Sequence, residues 1–306
     1  MSGLKIVRGK QRTPLRVVMY GVEGIGKTTL ASQFPKPIVL DTEDGSSHLD
    51  VDRVACRSYL ELEGAMHSLV RDAEGYQTVV IDSADWAERS AQEHLLANSN
   101  GKKSIEDFGF GKGYVMLAEQ MSRLIAVADQ LVSRGLHVVW VAHSKVVRVS
   151  PPDTNDGFDR YELKLHKQVA PLLKEWCDLL LFCNYRVAVV EGEDGRMKGR
   201  GGKERFMHAQ RSAAWDAKNR YGLPEAMPMG IGPLSQILSD CPGLFDRIAE
   251  YVRNATTVRA LGTTSDKVDG YASTGELSEE QAEALRHLIA ERRGAIQPQE
   301  VADVVA

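Results

Sequence analysis

The sequence has few cysteines and no long apolar run. Its 306 residues contain four cysteines, and no two of them have the spacing of a metal-binding or redox pair. We therefore expect reduced cysteines in a cytoplasmic protein. No apolar stretch approaches the roughly 18 residues that span a bilayer, and the first residues lack the apolar core of a secretory signal. These absences argue against a membrane protein and against a disulfide-stabilised fold.

An overall excess of positive charge is also lacking. The chain has 38 lysines and arginines against 42 aspartates and glutamates, which argues against a protein that binds nucleic acid through its whole surface. The charge is uneven, however. Residues 1–12 predict a basic N-terminal arm, and residues 278–306 predict an acidic helical tail. Solubilising ends without a binding role are the alternative for both segments.

What the chain does contain is a regular alternation of apolar runs and helical patterns. The runs cover residues 16–20, 37–40, 78–81 and 136–142. Buried parallel strands have this pattern, so we expect an α/β fold with a mostly parallel twisted sheet flanked by helices. Later runs predict an antiparallel β-hairpin that extends the sheet, at 177–184, 186–190 and 205–210.

The same patterns divide the chain into parts. Residues 13–252 are the expected core, and the polar, aperiodic residues 253–277 predict a linker to the tail. Ser278 and Gln281 have the spacing of a capping box, so the tail should begin with a helix there. Gly294 predicts the end of that helix.

The segment after the first apolar run has the glycine, lysine and threonine spacing of a P-loop. Glycines let backbone N–H groups turn toward phosphates, the lysine reaches the β and γ oxygens, and the hydroxyl holds Mg²⁺. A strand before the segment and a helix after it are the context that the motif requires. The residues predicted to bind ATP are Gly21, Val22, Glu23, Gly24, Ile25, Gly26, Lys27, Thr28 and Thr29.

A second apolar run, residues 78–81, ends in Asp82. A carboxylate at the carboxyl edge of a parallel sheet, next to a P-loop, is placed to bind beside Mg²⁺. We therefore predict Thr28 and Asp82 as the metal-side residues and Mg²⁺ as the cofactor that accompanies ATP. An ordinary strand end is the alternative for Asp82.

Three further segments resemble RecA-type ATPases. Residues 37–45 resemble the strand after the P-loop helix, residues 139–144 resemble the sensor strand, and residues 218–222 (KNRYG) resemble a basic motif of the RadA family and of DnaB-type helicases. The resemblance implies that Glu43 polarises the attacking water and that His143 senses the γ-phosphate, where RecA itself has a glutamine. A strand-end histidine held by local contacts is the alternative for His143.

By the same resemblance, Lys218 and Arg220 contact the nucleotide of a neighbouring subunit, so hydrolysis requires a ring or filament of identical subunits. A solvated loop is the alternative, and Lys203 and Arg205 are substitutes for the pair. The resemblance covers about residues 13–225 and looks most like the short RecA-core ATPases of bacteriophages. That group includes single-strand annealing recombinases.

RecA-type proteins hold single-stranded DNA with two loops, and two segments of this chain have suitable chemistry. Cations alternate with aromatic residues and glycines between residues 98 and 114, and a long segment after residue 144 carries further cations. The predicted DNA-binding residues are Lys102, Lys103, Phe108, Phe110, Lys112, Lys145, Arg148, Arg160 and Lys164. A mobile loop is the alternative for the first segment, and a β-hairpin that grips a protein partner is the alternative for the second.

The motifs and the resemblance to RecA-type ATPases together imply a Mg²⁺-dependent, DNA-stimulated ATPase that binds single-stranded DNA and promotes annealing or strand exchange. The expected setting is phage or prophage recombination in the cytoplasm of a bacterial host cell. Expected partners are single-stranded DNA and further copies of the chain, and a single-strand-binding protein is a further candidate. The alternative is an ATP-switched assembly or loading factor that acts on a protein partner. A small-molecule kinase is disfavoured because the chain has no dedicated acceptor or lid motif.

Overall fold

The computed structural model describes residues 13–73, 75–150, 157–191, 197–240, 243–275 and 277–305. The predicted basic arm, residues 1–12, lies outside the described residues. Within them, no helix is both long and apolar enough to cross a membrane.

Strands and helices alternate in the first part of the described chain, and its last part is helical. The strands are β1 (Arg16–Gly21), β2 (Pro37–Asp41), β3 (Asp52–Ala55), β4 (Thr78–Asp82), β5 (His137–Val149), β6 (Phe158–Leu163), β7 (Leu179–Glu191), β8 (Met197–His208), β9 (Lys218–Asn219) and β10 (Ala226–Pro228). The helices are α1 (Lys27–Ala31), α2 (Tyr59–Arg71), α3 (Ala84–Ala97), α4 (Lys112–Ser133), α5 (Ala170–Trp176), α6 (Ser235–Asp240), α7 (Leu244–Asn254), α8 (Val258–Ser273) and α9 (Glu279–Val305).

The strands form one sheet whose main path runs β3, β2, β4, β5, β1, β7, β8 and β10. The first six strands of this path are parallel to their neighbours, and β8 and β10 are antiparallel. β6 pairs antiparallel with the outer half of β5, and β9 pairs with the start of β7. The predicted mostly parallel sheet and its β7–β8 hairpin are confirmed.

The central strand β1 shows why these runs are apolar throughout. Val18 and Tyr20 pack into the core on the side of α2, α3, α4 and α5, whereas Val17 and Met19 pack into the core on the side of α1 and α6. All four residues are fully buried. A strand covered by helices on both faces has no solvent-facing position, so it has no alternation of polar and apolar residues.

The structure corrects the predicted linker. Within residues 253–277 lies α8, which begins where the Thr257 hydroxyl accepts a hydrogen bond from the backbone N–H of Ala260 at 3.3 Å. Its buried stripe is only Leu261, Thr264 and Val268, so the surrounding polar residues obscured the helical period. Helices α7, α8 and α9 share a separate apolar core, and the helical unit therefore begins near residue 244.

The tail begins as predicted, with a reciprocal capping box between Ser278 and Gln281. Its predicted end is wrong, because α9 continues past Gly294 to Val305. Ile289 and Ile296 lie seven residues apart on the buried side of the helix. Their packing outweighs the cost of about 1 kcal/mol that a glycine adds to a helix interior.

Candidate active site

Three parallel strands bring the candidate residues to one edge of the sheet. β5 lies between β1 and β4, with Gly21 opposite His143 and Asp82 opposite Val141. Carboxyl ends of parallel strands meet at the same edge, where open α/β sheets bind ligands. A cleft of about 260 Å³ lies there, and its lining includes Lys27, Thr28, Glu43, Asp82, His143 and Arg205.

The loop between β1 and α1 has the backbone that its glycines permit. Gly24 and Gly26 have φ values of 69° and 99°, a region that residues with a Cβ rarely adopt. At Gly21, a Cβ would collide with the backbone carbonyl of Cys183 on the neighbouring strand β7. The predicted nucleotide-binding residues 21–29 therefore run from the end of β1 through a compact turn into the start of α1.

Lys27 lies against this loop, and the residue is 5% exposed. Its Nζ donates to the carbonyl oxygens of Gly21 and Val22, at 3.2 and 3.0 Å. Burial lowers the pKa of Lys27, and nearby acidic groups oppose that shift. Because both hydrogen-bond partners are neutral, the ammonium can neutralise an anion in the cleft.

Thr28 and Asp82 are in direct contact. The Thr28 hydroxyl donates to Asp82 Oδ2 at 2.6 Å, and Asp82 is 2% exposed. Burial raises the pKa of Asp82. One hydroxyl and one carboxylate suit Mg²⁺, which takes few protein oxygens and completes its shell with water and phosphate. Among the described residues there is no cluster of three or more histidine, cysteine or acidic groups that would suggest a metal held by protein alone.

Glu43 is oriented by the carboxylate of Asp41 at the end of β2. Asp41 accepts hydrogen bonds from the backbone N–H groups of Glu43, Gly45 and Ser46, at 3.2, 3.2 and 2.9 Å. Burial acts to raise the pKa of Asp41, but a hydrogen bond from the Ser46 hydroxyl and the three backbone hydrogen bonds outweigh it and hold the pKa below its ordinary value. Asp41 is not among the site residues predicted from the sequence, and its positioning role is visible only in the structure.

The Glu43 carboxylate points toward the same cleft. Its Oε2 accepts a long hydrogen bond from the Ser83 hydroxyl, at 3.4 Å. Burial raises the pKa of Glu43, and the adjacent Asp82 carboxylate raises it further. A carboxylate with a raised pKa is a better acceptor for a proton from water, which is the chemistry expected of a general base.

His143 at the middle of β5 is held by Asp85. The His143 backbone N–H and ring Nδ1 contact the two Asp85 carboxylate oxygens, at 3.0 and 2.9 Å. The hydrogen bond with Asp85 raises the pKa of His143, although burial opposes it. The local contact that the alternative for His143 requires is therefore present. Since Asp85 binds Nδ1, Nε2 is the ring nitrogen that can contact a phosphate. Asp85 is not among the site residues predicted from the sequence. Its position three residues after Asp82, in the first turn of α3, is the sequence feature that indicates it.

Lys218 and Arg220, predicted to contact a neighbouring subunit's nucleotide, lie far from the substitute residue Arg205. Lys218 donates to the carbonyl oxygens of Lys174 and Glu175, at 3.1 and 2.9 Å, and Arg220 pairs with Asp178 at 2.6 Å. Since β9 pairs with the start of β7, Lys218 and Arg220 lie at the edge of the sheet opposite the P-loop. A role in another subunit's site stays a prediction for them.

Arg205 differs from that pair because it lies in the cleft of its own chain. Its Nη1 donates to the backbone carbonyl of Ile25 at 3.2 Å. The substitute role in a neighbouring subunit, which the sequence suggested for Lys203 and Arg205, therefore does not fit Arg205. The antiparallel register of β8 on β7 brings it there, and that register is not visible in the local sequence.

The first predicted DNA loop exposes an aromatic residue. Phe110 is fully exposed and has a positive φ of 50°, between Gly109 and Gly111. The Lys102 ammonium lies 5.1 Å from the centre of the Phe108 ring. Lys103 precedes the short 3₁₀ helix Ile105–Phe108, and Lys112 is the first residue of α4.

The second predicted DNA segment is mostly an antiparallel pair of strands, β5 and β6. Arg148 is exposed and pairs with Asp159 at 3.5 Å, while Lys164 pairs with Glu23 at 3.5 Å. Lys145 donates to the backbone carbonyl of Leu165 at 2.6 Å.

Arg160 does not fit its predicted DNA-binding role. The residue is buried, 7% exposed, and its guanidinium pairs with Asp216, which also pairs with Lys174 at 2.6 Å. The pairing of β6 with β5 turns this position toward the core. The charge of Arg160 is therefore paired with an internal carboxylate and does not face DNA.

A glycine-rich loop with a buried lysine, followed by a threonine hydrogen-bonded to a strand-end aspartate, defines a P-loop NTPase when it lies at the carboxyl edge of a parallel sheet. The AAA_24 family, described as an AAA domain, matches residues 13–221 of this chain. The chain belongs to this family of AAA domains, whose P-loop core implies nucleotide binding and hydrolysis.

Two individual proteins are similar to the chain. The SPbeta prophage-derived uncharacterized protein YorG of Bacillus subtilis (strain 168) is 25% identical over 137 residues, and the match covers 42% of this chain and 40% of that protein. The crystal structure of the flagellar accessory protein FlaH from Methanocaldococcus jannaschii matches 72% of this chain and 87% of that chain, at 9% identity and a TM-score of 0.34. A likeness this low indicates neither a function nor a partner.

Proposed function

We propose that this chain is an ATPase stimulated by single-stranded DNA, and that it promotes annealing or strand exchange in phage recombination. The observation that carries the proposal is the fully exposed ring of Phe110 between two glycines, with Lys102, Lys103 and Lys112 close in sequence. Proteins that bind single strands stack bases on exposed aromatic rings and neutralise the backbone with nearby cations.

The cleft supplies the groups that hydrolysis needs. Lys27 would neutralise phosphate oxygens, and Glu43 would polarise the attacking water and accept its proton. His143 would contact the γ-phosphate while Asp85 fixes its ring. Thr28 and Asp82 would hold Mg²⁺, which, when bound, adds positive charge beside the phosphates.

Helix α3 and two contacts connect the cleft with the loop of Phe110. Asp85, which holds His143, and Glu88 lie three residues apart on α3, so they lie on the same face of that helix. Glu88 accepts a hydrogen bond from the backbone N–H of His166 at 2.8 Å. The His166 ring stacks on Tyr114, with centroids 4.1 Å apart and planes 3° apart. Tyr114 is in the first turn of α4, directly after the loop, and the contacts support coupling between nucleotide and DNA.

The phage setting rests on a relative. YorG is described as prophage-derived, and the similarity to it is 25% identity over part of each chain. We take the same setting for this protein.

Steady-state ATP hydrolysis with and without single-stranded DNA tests the proposal. We expect DNA to increase turnover severalfold, and we expect the increase to fall as salt rises because phosphate contacts are ionic. Duplex DNA of the same length is the matched comparison. Turnover that single-stranded DNA leaves unchanged would rule the proposal out.

One observation favours a second function, an ATP-switched assembly factor that acts on a protein. The β5–β6 hairpin exposes Val146, while the cation Arg160 is turned inward. An exposed apolar side chain on this hairpin can be buried against a protein surface, which a phosphate backbone does not offer. For this function, DNA leaves turnover unchanged and Val146→Lys abolishes binding of the partner.

A further inference from the structure

The β7–β8 hairpin extends past the end of the P-loop strand. β1 ends at Gly21, which pairs with Cys183, whereas β7 continues for another eight residues and returns as β8. On the side of β1, residues just beyond Cys183 therefore lie beside the P-loop and not beside a strand.

Two residues of the hairpin contact the P-loop backbone. Tyr185 and Arg205 are directly opposite each other on the paired strands, so their side chains point to the same face. The Tyr185 hydroxyl donates to the carbonyl of Gly24 at 3.4 Å, and Arg205 Nη1 donates to the carbonyl of Ile25 at 3.2 Å. The next residue, Gly26, is so close that a Cβ there would lie 2.7 Å from Arg205 Nη1.

The guanidinium of Arg205 therefore lines the cleft together with Lys27 and Thr28. A guanidinium has five N–H donors in a planar fork, a geometry that suits phosphate oxygens. The hydrogen bond to Ile25 uses a neutral carbonyl oxygen, which leaves the positive charge of Arg205 uncompensated by that contact. On the opposite face of the hairpin, Arg186 pairs with the carboxylate of Glu204 at 3.4 Å.

We propose that Arg205 is a phosphate-binding residue of the nucleotide site in its own subunit, delivered by the β7–β8 hairpin. The inference rests on the proposed nucleotide-binding function and adds a second cation to the one that Lys27 supplies. It does not depend on DNA, because the P-loop and Arg205 belong to one chain.

Equilibrium binding of ATP and ADP, without DNA, tests the assignment. We expect Arg205→Ala to weaken ATP binding about tenfold or more, since charge-assisted hydrogen bonds to phosphate are about twice as strong as neutral ones. Arg205→Lys should restore part of the affinity, because it keeps the charge. Arg186→Ala removes a neighbouring exposed arginine and is the matched control, with affinity near that of the wild type.

A second comparison separates phosphate binding from support of the loop. Tyr185→Phe removes the neighbouring hydrogen bond to the P-loop without removing charge. A smaller loss for Tyr185→Phe than for Arg205→Ala, with rescue by Arg205→Lys, supports the proposal. Equal losses without rescue would show that Arg205 only holds the loop and would overturn it, as would wild-type ATP affinity in Arg205→Ala.

Dilution distinguishes a residue of the same subunit from one supplied by a neighbour. At protein concentrations where light scattering finds single subunits, the binding defect of Arg205→Ala should persist. A defect that disappears on dilution would assign Arg205 to a neighbour's site and contradict the inference. Failure of DNA stimulation leaves this result unaffected, because the assay contains no DNA.

Discussion

Thr28 and Asp82 are 54 residues apart in the chain, and their side chains share a hydrogen bond of 2.6 Å. The contact joins the first turn of α1 to the last residue of β4. It places the hydroxyl and the carboxylate that suit Mg²⁺ side by side, in the wall of a cleft that also contains Lys27.

Removing the Thr28 hydroxyl should abolish metal-dependent hydrolysis. We expect Thr28→Val, which keeps the shape of the side chain, to reduce turnover at least about 100-fold, the order of loss when one preorganised polar group is removed from an active site. Thr28→Ser retains the hydroxyl and should keep most of the activity. Turnover measured across a Mg²⁺ titration checks this, and an equal loss in both variants would contradict the role of the hydroxyl.

The carboxylate of Glu43 should be needed for turnover but not for binding. Glu43→Gln is expected to bind ATP near the wild-type affinity and to hydrolyse it about 100- to 10,000-fold more slowly, the range for loss of a general base. Single-turnover hydrolysis and a separate binding assay measure the two effects. Asp44→Asn, at the neighbouring exposed carboxylate that pairs with Arg57 at 3.7 Å, is the control. Near-normal turnover in Glu43→Gln would exclude the assignment.

The His143–Asp85 pair should make stability depend on pH. The hydrogen bond with Asp85 raises the pKa of His143 on folding. A group with a raised pKa stabilises the folded state fully below its unfolded pKa of about 6.5, and this contribution is lost as pH rises through the folded pKa. His143→Gln should therefore destabilise the protein most at acidic pH.

After allowance for solvent screening, we expect the destabilisation by His143→Gln to be about 1 kcal/mol near pH 6 and smaller near pH 9. Denaturant unfolding at several pH values measures it, and His67→Gln, at an exposed histidine of α2, is the control. A destabilisation by His143→Gln that grows with pH would mean that the contact with Asp85 does not raise the pKa of His143.

Phe110 should contribute to DNA binding and not to stability. Phe110→Ala removes a ring that is fully exposed, so the free energy of unfolding should stay unchanged. Binding to single-stranded DNA should weaken by about 1–3 kcal/mol, which is what stacking contributes per base. Tyr251→Ala, at an exposed aromatic residue of α7, is the matched control. Unchanged DNA affinity in Phe110→Ala would remove the observation on which the DNA proposal rests.

Helix α8 should be a structural part of the C-terminal helical unit. Leu261→Ala removes a fully buried side chain and should destabilise that unit by about 2–5 kcal/mol. Asp266→Ala, at an exposed position of the same helix, should have little effect. Limited proteolysis of residues 253–277 measures the difference, and equal cleavage of both variants and the wild type would indicate that the segment behaves as a linker.

Local sequence was sufficient for several features. The apolar runs predicted the central strands, because strands buried on both faces have no polar alternation. The spacing of Gly24, Gly26, Lys27 and Thr28 predicted a tight turn between a strand and a helix, since the unusual backbone angles there need glycine. Helix α8 escaped prediction because three buried positions among many polar ones produce little periodicity.

The sequence by itself therefore determined the α/β pattern, the P-loop and the capped start of α9, all of which depend on neighbours within a few residues. Only the tertiary structure decided that Arg160 points inward to Asp216, that Arg205 reaches the P-loop, and that Lys218 and Arg220 lie at the opposite edge. Strand register decides such placements, because a shift of one residue turns every side chain to the other face of the sheet. That register results from packing between distant segments.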